Sequence, residues 1–404
     1  MRIYTVLLTL GLLLIGSSLP SQAQRLDPTP GQSIFTVRGY GHSGLEFLRV
    51  EGENAWENSF VGGSFNPIFL WRQSSRLIFE SELKFEFEDN ALEVALEYAN
   101  VAYALNQHLI VRVGRFLLPF GKFSSNFHPA WINRFPTAPL GFGHDAPVGP
   151  SADFGVEVRG ATALRGGRFT YAAYVVNGPA LNTEPGQAGR LTYGRIEDNN
   201  TNKAIGGRIS ILPLSDLTLE IGISAQYGKV GAKESNYKDI AAQLYSLDVT
   251  FKRNLTPLSS ILDIRSQYNR VQVDRTTYPG DLPGEMVTFN NTSEAFYIQS
   301  SLRPAYIDNP LLKNLEFVGR YSQLKFTPEA PWGQERSEIA LGVNYWIDWR
   351  TVVKFSYLTF NNLKENNLME EEDDHGIQKR SPGEEEMETA LLKQIFTIHV
   401  AIGF

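Results

Sequence analysis

The sequence contains no cysteine, which excludes a disulfide-stabilised scaffold and every reaction that needs a thiol. Beyond residue 23 it also lacks any uninterrupted apolar run approaching the roughly 20 residues of a membrane-spanning helix. Its six histidines are dispersed, and none has the spacing of a metal site. No metal or other cofactor is therefore predicted, and stability must come from burial and backbone pairing.

The chain has no global excess of one charge sign once a single stretch is set aside. The formal net charge is −7, but residues 362–389 hold ten carboxylates against three basic residues, which leaves 34 of each sign elsewhere. This balance argues against a nucleic-acid-binding protein. The acidic stretch has two interpretations: a solvated outer loop, which we favour, or a site where Ca²⁺ or Mg²⁺ bridges to lipopolysaccharide.

The first 23 residues have the features of a secretory signal peptide. A positive charge at Arg2 precedes an apolar core at residues 6–15, and Ser21-Gln22-Ala23 forms a small-x-small cleavage site. We predict a signal peptide at 1–23 and one mature domain at 24–404. An uncleaved N-terminal anchor is the alternative, although its apolar core is short for a stable span.

Apolar and polar residues alternate along nearly the whole mature chain. In residues 77–88 the apolar side chains occupy odd positions and the charged ones even positions. A helix would scatter these charges around its circumference, whereas a strand places all of them on one face. The same pattern continues through residues 92–99, where it places Tyr98 on the apolar face with Leu92, Val94 and Leu96. The alternation predicts an all-β protein.

Sixteen segments have this pattern and are predicted to be strands. They lie at 33–50, 57–70, 76–88, 92–104, 109–116, 153–164, 168–177, 203–212, 216–228, 242–253, 259–273, 293–304, 313–326, 336–347, 350–361 and 390–404. Short connections such as 165–167 and 213–215 tend to alternate with long ones such as 117–152 and 178–202. This asymmetry is typical of outer-membrane barrels, which have short periplasmic turns and long outer loops.

The predicted fold is therefore a transmembrane antiparallel β-barrel of about 16 strands. Closure is required because hydrocarbon offers no hydrogen-bond partner to a free strand edge. An even strand number places the start of the first strand and the end of the last strand at the periplasmic rim. A barrel of this size encloses water, so the fold predicts a path for small solutes.

The last strand, residues 392–404, resembles the terminal strand of bacterial outer-membrane proteins. It alternates apolar with small or polar residues and ends on Phe404. The resemblance implies that the barrel-assembly machinery recognises this strand through Phe404. It also implies a location in the bacterial outer membrane, with outer-membrane lipid and lipopolysaccharide as partners.

The longest connection, residues 117–152, is the third outer loop and the candidate pore constriction. It contains six aromatic residues, which argues against disorder, together with Lys122, Arg134, His144 and Asp145. If the loop folds inward, Lys122 and Arg134 form a cationic filter that favours anions. Arg112, Arg115 and Arg159 on the flanking strands extend it. In the alternative, Lys122 and Arg134 solvate the loop or pair with Asp145 and Asp153, and the three strand arginines pair with lumen carboxylates.

Four aromatic residues lie beside or within predicted short turns: Trp71, Tyr306, Trp346 and Trp349. Aromatic girdles at the membrane interface have this placement. We predict that the four residues form the periplasmic girdle.

Several short motifs resemble those of the phosphate-selective porin O and P family across the mature chain. They are Val113-Gly114-Arg115-Phe116, Pro119-Phe120-Gly121, Tyr174-Val175-Val176-Asn177-Gly178, Asn199-Asn200, Ile205-Gly206-Gly207-Arg208 and Leu341-Gly342-Val343-Asn344-Tyr345-Trp346. The resemblance implies a sixteen-stranded barrel, commonly trimeric, with the third loop folded into the pore. Passage of anions such as phosphate is the function that the family suggests.

These patterns favour an outer-membrane channel for passive diffusion of small hydrophilic solutes, which is not an enzyme. One alternative is a barrel that serves as a surface adhesin or scaffold through its outer loops. Another is a barrel enzyme of phospholipase type. The sequence has no Gly-x-Ser-x-Gly elbow, but a dyad built from different strands has no fixed spacing.

Overall fold

A computed structural model describes residues 33–50, 54–88, 91–143, 147–280, 284–365 and 392–404. The predicted signal peptide, the acidic stretch from residue 366 onward, and His144 and Asp145 lie outside these ranges.

In the described residues, sixteen long strands form one closed antiparallel barrel, as predicted. The barrel strands are β1 (Ile34–Val50), β2 (Glu57–Arg72), β3 (Leu77–Glu88), β4 (Ala91–Asn106), β5 (Leu109–Leu117), β6 (Ala152–Leu164), β7 (Gly167–Val176), β10 (Ala204–Leu212), β11 (Leu219–Lys229), β12 (Ala241–Leu255), β13 (Ser260–Val273), β16 (Thr292–Arg303), β17 (Leu315–Lys325), β18 (Gln334–Trp346), β19 (Thr351–Glu365) and β20 (Leu392–Gly403). Each corresponds to one predicted strand.

Two short hairpins lie outside the barrel sheet, within the long connections that follow β7 and β13. They are β8 (Ala180–Leu181) with β9 (Leu191–Thr192), and β14 (Thr276–Pro279) with β15 (Met286–Phe289). None of the described helices is long and apolar enough to cross a membrane.

The two faces of each strand differ as the alternation predicts. On β18, Ile339 and Leu341 are exposed on the outside of the barrel, whereas Ala340 and Asn344 are fully buried inside. The outward residues form a continuous apolar surface that suits hydrocarbon. The inward residues face either water or the loop that enters the lumen.

Strand β4 changes phase at a β-bulge. The pairing of β4 with β3 skips one residue, Glu97, between Tyr98 and Leu96, and an inserted residue moves all later side chains to the opposite face. The prediction that Tyr98 lies on the apolar face is therefore wrong. Its hydroxyl bonds to Glu82, which is buried inside the barrel.

The aromatic girdle is only partly as predicted. Trp71, Tyr306 and Trp349 are exposed, but Trp346 is buried. The indole Nε1 of Trp346 donates a hydrogen bond to Glu316 Oε2 at 2.9 Å. Trp346 points into the lumen because it lies two residues from the inward-facing Asn344.

The short turns gather at one rim of the barrel, and two of them are fixed by aspartate. The backbone N–H groups of Arg350 and Thr351 donate to Asp348 at 2.7 and 2.8 Å, which holds the pKa of the Asp348 carboxyl below its usual range. Thr218 bonds to Asp216 in the same manner and also lowers its pKa. This short-turn rim carries the start of β1 and the end of β20.

The barrel closes where β1 pairs with β20, and Phe404 completes this seam. The backbone of Phe404 donates to and accepts from Gly39 at 2.9 and 3.1 Å, and its ring stacks on Phe65 at 5.6 Å. Gly39 provides the space, because a methyl group there would lie 2.5 Å from the backbone oxygen of Asn66 and 2.6 Å from the Phe404 ring.

We expect Gly39→Ala to destabilise the barrel by about 1–3 kcal/mol, because the added methyl group forces the seam apart. Gly319→Ala is the matched control, since its nearest neighbour would be a side chain of Leu341 at 3.7 Å. The temperature at which the detergent-folded form loses its fast gel migration measures the effect. Equal temperatures for the two variants would show that the seam tolerates the methyl group.

Candidate functional site

The connection between β5 and β6, residues 118–151, crosses the barrel interior and is called loop 3 here. Gln267 on β13 holds its first part, because Gln267 Oε1 accepts the backbone N–H groups of Lys122 and Phe123 at 2.8 and 2.9 Å. The Phe123 ring packs edge-on against Tyr297 at 5.7 Å. The described part of the third outer loop therefore lies inside the lumen, against the wall opposite its own strands.

A buried lysine holds the middle of loop 3. Lys354 on β19 is fully buried, and its Nζ donates to the carbonyl oxygens of Ala130, Asn133 and Phe135 at 2.5, 2.7 and 3.3 Å. Backbone oxygens from one short segment thus surround a single ammonium group. The sequence places Lys354 on the inward phase of β19 but gives no sign of this role.

Arg320 on β17 holds the next segment of the loop. Its guanidinium donates to the backbone oxygen and the hydroxyl of Thr137, both at 2.8 Å, and pairs with Glu338 at 2.7 Å. The ring of Phe135 lies 4.7 Å from the same guanidinium. Loop 3 is therefore anchored to β13, β17 and β19.

The two loop cations of the predicted filter both form ion pairs with that wall. Lys122 pairs with Glu220 on β11. Arg134 pairs through Nε with Glu316 at 2.9 Å and through Nη2 with Asp263 at 3.3 Å. The two residues attach to different strands, and their charges are neutralised beneath the loop. The partners proposed in the alternative reading of the sequence were different carboxylates.

The three strand arginines of the predicted filter are also partnered. Arg112 and Arg159 converge on the fully buried Glu157, at 2.6 and 3.1 Å. Arg115 donates to backbone oxygens of Glu97 and Gly194 at 3.0 and 2.8 Å. Asp153, one of the expected partners, instead accepts two backbone N–H groups, from Phe154 and Gly178.

The open part of the lumen lies between loop 3 and strands β1 to β4. A cavity of about 150 Å³ opens there. From loop 3 it is lined by Phe123, His128 and Asn133, and from the wall by His42, Ser64, Asn66, Lys84, Glu86 and Glu97. In the described ranges, His, Asp and Glu side chains form no group of three that suits a metal ion.

Comparison with known proteins shows which solved structures share this barrel fold. No protein-family model and no curated protein matches the sequence. Among solved structures, the barrel is similar to the outer-membrane channel DcaP of Acinetobacter baumannii, at 9% identity and a TM-score of 0.57, over 94% of this chain and 99% of that one. The fold is that of bacterial outer-membrane porins.

Two further structures have the same barrel. An anion-selective porin from Comamonas acidovorans is similar at 12% identity and a TM-score of 0.55, over 92% of this chain and all of that one. The trimer form of OmpT, an outer-membrane protein of Vibrio cholerae, matches at 12% identity and 0.51, over 92% and 99%. At these identities the similarity is one of fold, and the outer membrane is the location that this fold implies.

Proposed function

We propose that the protein is an outer-membrane channel for passive diffusion of small hydrophilic solutes and has no enzymatic activity. The observation that carries the proposal is a closed barrel whose lumen keeps a cavity beside an inserted loop, with charged and other polar side chains among its lining residues. A hole of this kind passes solutes smaller than its constriction, and the groups that line it determine which charge passes.

The partners follow from the same proposal. The apolar outer surface contacts outer-membrane lipid, and the long-loop rim meets lipopolysaccharide. Recognition by the barrel-assembly machinery is assigned to the last strand with Phe404. A homotrimer is proposed from the family resemblance, and OmpT, to which the barrel is similar, was solved in a trimer form.

Anions such as phosphate are the solutes that the resemblance to the porin O and P family suggests, and one of the similar barrels is an anion-selective porin. Among the described residues of loop 3, Lys122 and Arg134 are the only Lys or Arg side chains, and both are neutralised by ion pairs. The anion filter made of Lys122, Arg134, Arg112, Arg115 and Arg159 stays a prediction.

Reconstitution in a planar bilayer tests the channel function. We expect stepwise current increments from the purified, folded protein, and swelling of proteoliposomes by small sugars that declines as sugar size increases. A surface scaffold gives neither signal, and a barrel of phospholipase type releases fatty acid from the same liposomes. Fatty-acid release without current steps would overturn the proposal in favour of the enzyme.

A further inference from the structure

We propose that the passage beside loop 3 prefers cations, with Glu86 and Glu97 as the residues that determine this preference. The inference rests on the proposed channel function, and it assigns to the preferred solute the charge opposite to the one that the resemblance to the porin O and P family suggests. Four observations support it. The passage lies against β1 to β4, called the near wall here, and outer loops cover the barrel mouth above the opposite side, called the far wall. Arginines of the far wall are paired with carboxylates, and carboxylates of the near wall line the passage.

Loop 3 divides the lumen into two unequal parts. Its anchors are Gln267, Arg320 and Lys354, all on the arc from β13 to β19. The cavity lies on the opposite side, against β1 to β4. A solute that crosses the constriction therefore moves along the wall that carries Glu86 and Glu97.

The outer loops cover the far half of the barrel mouth. Connections that follow β7, β11, β13 and β17 pack together: the ring of Tyr237 stacks on Tyr278 at 5.6 Å, and Phe289 packs against Trp332 at 6.2 Å. Trp332 Nε1 also donates to the backbone oxygen of Ala188 at 2.9 Å. By contrast, only two residues separate β3 from β4, so the shortest of the outer connections lies above the near wall formed by β1 to β4.

Three arginines on the side of the barrel away from the cavity are neutralised by ion pairs. Arg208 pairs with Asp248 at 2.6 Å, Arg265 pairs with Asp263 at 3.0 Å, and Arg320 pairs with Glu338. All three arginine side chains are nearly buried. Buried, paired charges project little field into the passage, because each cation sits beside its own counter-charge.

The near wall has the opposite balance. Lys84 and Glu86 form an ion pair that is about one-quarter exposed to the cavity. Glu97 lines the same cavity, and within the residues that the structure describes its carboxylate forms no ion pair. Arg115 donates to the backbone oxygen of Glu97 and leaves the carboxylate to the passage. Glu97 has the inward phase of Glu93 and is the residue that the β-bulge leaves without a partner on β3.

Among its titratable lining residues the passage therefore carries two carboxylates and one ammonium group, which is a net negative charge. A ring of acidic side chains is the usual basis of cation preference in channels. One uncompensated unit charge at about 4 Å raises the local concentration of a monovalent cation on the order of fivefold in water, and more in a confined space. Salt screens this effect, so dilute electrolyte reveals it best.

The test is the reversal potential of the full-length, folded protein in a planar bilayer under a KCl gradient. We expect the wild-type channel to favour K⁺ several-fold, on the order of five, and the double variant Glu86→Gln, Glu97→Gln to lose that preference while keeping its current steps. Asp239→Asn is the matched control, because this exposed carboxylate lies on the connection after β11, outside the barrel. It should keep the wild-type potential.

The outcomes separate the two proposals. Absence of current steps from folded wild-type protein overturns the channel itself. Current steps with Cl⁻ preference, or an unchanged potential in the double variant, overturn the cation preference alone. If the double variant does not fold, Lys84→Gln decides in its place: loss of the ammonium group should shift the potential further toward K⁺, and a shift toward Cl⁻ would contradict the proposal.

Discussion

Replacing Arg134 with methionine is expected to cost the barrel about 3–5 kcal/mol, because it leaves the buried carboxylate of Glu316 without its ion-pair partner. Glu316 is nearly inaccessible to solvent, whereas Asp263 keeps its ion pair with Arg265 at 3.0 Å. The backbone oxygen of Arg134 also accepts from Asn344 Nδ2 at 3.0 Å, so a displaced side chain pulls on the loop itself. Thermal unfolding of the detergent-folded protein measures the loss.

Arg159→Met is the matched control for that experiment. Its side chain is 44% exposed, and its partner Glu157 retains Arg112 at 2.6 Å, so the expected cost is below about 1 kcal/mol. Arg134→Lys should recover part of the stability, since it keeps the charge. If Arg134→Met unfolds like the wild type but changes the reversal potential toward cations, Arg134 acts as an anion filter and not as a structural anchor.

The strand pattern could be predicted because successive residues of a membrane-barrel strand face lipid and lumen in turn, so apolar and polar residues alternate in the sequence. All sixteen barrel strands were predicted from this alternation alone. The error at Tyr98 arises where the outward-facing residues of a strand change from even to odd positions. On β4 the exposed apolar residues lie at even positions up to Leu96 and at odd positions from Val101 onward. This change of parity is visible in the sequence and indicates the bulge.

The same parity argument would have placed Trp346 correctly. Trp346 and Asn344 share one phase of β18, and Tyr345 shares the other with Leu341. Proximity to a short turn favoured the girdle for Trp346, but the phase of the strand decides which solvent a side chain meets. Trp71 and Trp349 satisfy the turn criterion and are exposed.

The partners of the loop cations could not be predicted, because they lie far away in sequence. Lys122 meets Glu220, and Arg134 meets Asp263 and Glu316. These contacts depend on where each wall residue lies along the barrel axis, which follows from the register of many strand pairs together. Local alternation predicts that a carboxylate faces inward but does not predict its position along the barrel axis.

Replacing Lys354 with methionine is expected to release the middle of loop 3 and to raise the single-channel conductance and its noise. Three carbonyl oxygens, of Ala130, Asn133 and Phe135, lose their donor, and each buried acceptor left unsatisfied costs about 1–3 kcal/mol. Methionine fills a similar volume, so the change removes the donor without opening a large cavity. Lys313→Met, an exposed lysine at the short-turn rim, is the control.

The type of acceptor that Lys354 binds determines which substitutions release loop 3. Lys354 binds backbone oxygens, so side-chain substitutions at 130, 133 or 135 leave its hydrogen bonds in place, whereas one change on β19 removes all three. We therefore expect Lys313→Met to keep the wild-type current noise while Lys354→Met raises it, both measured in the same bilayer. Equal noise from Lys354→Met and wild type would mean that Gln267 and Arg320 hold the loop without the lysine.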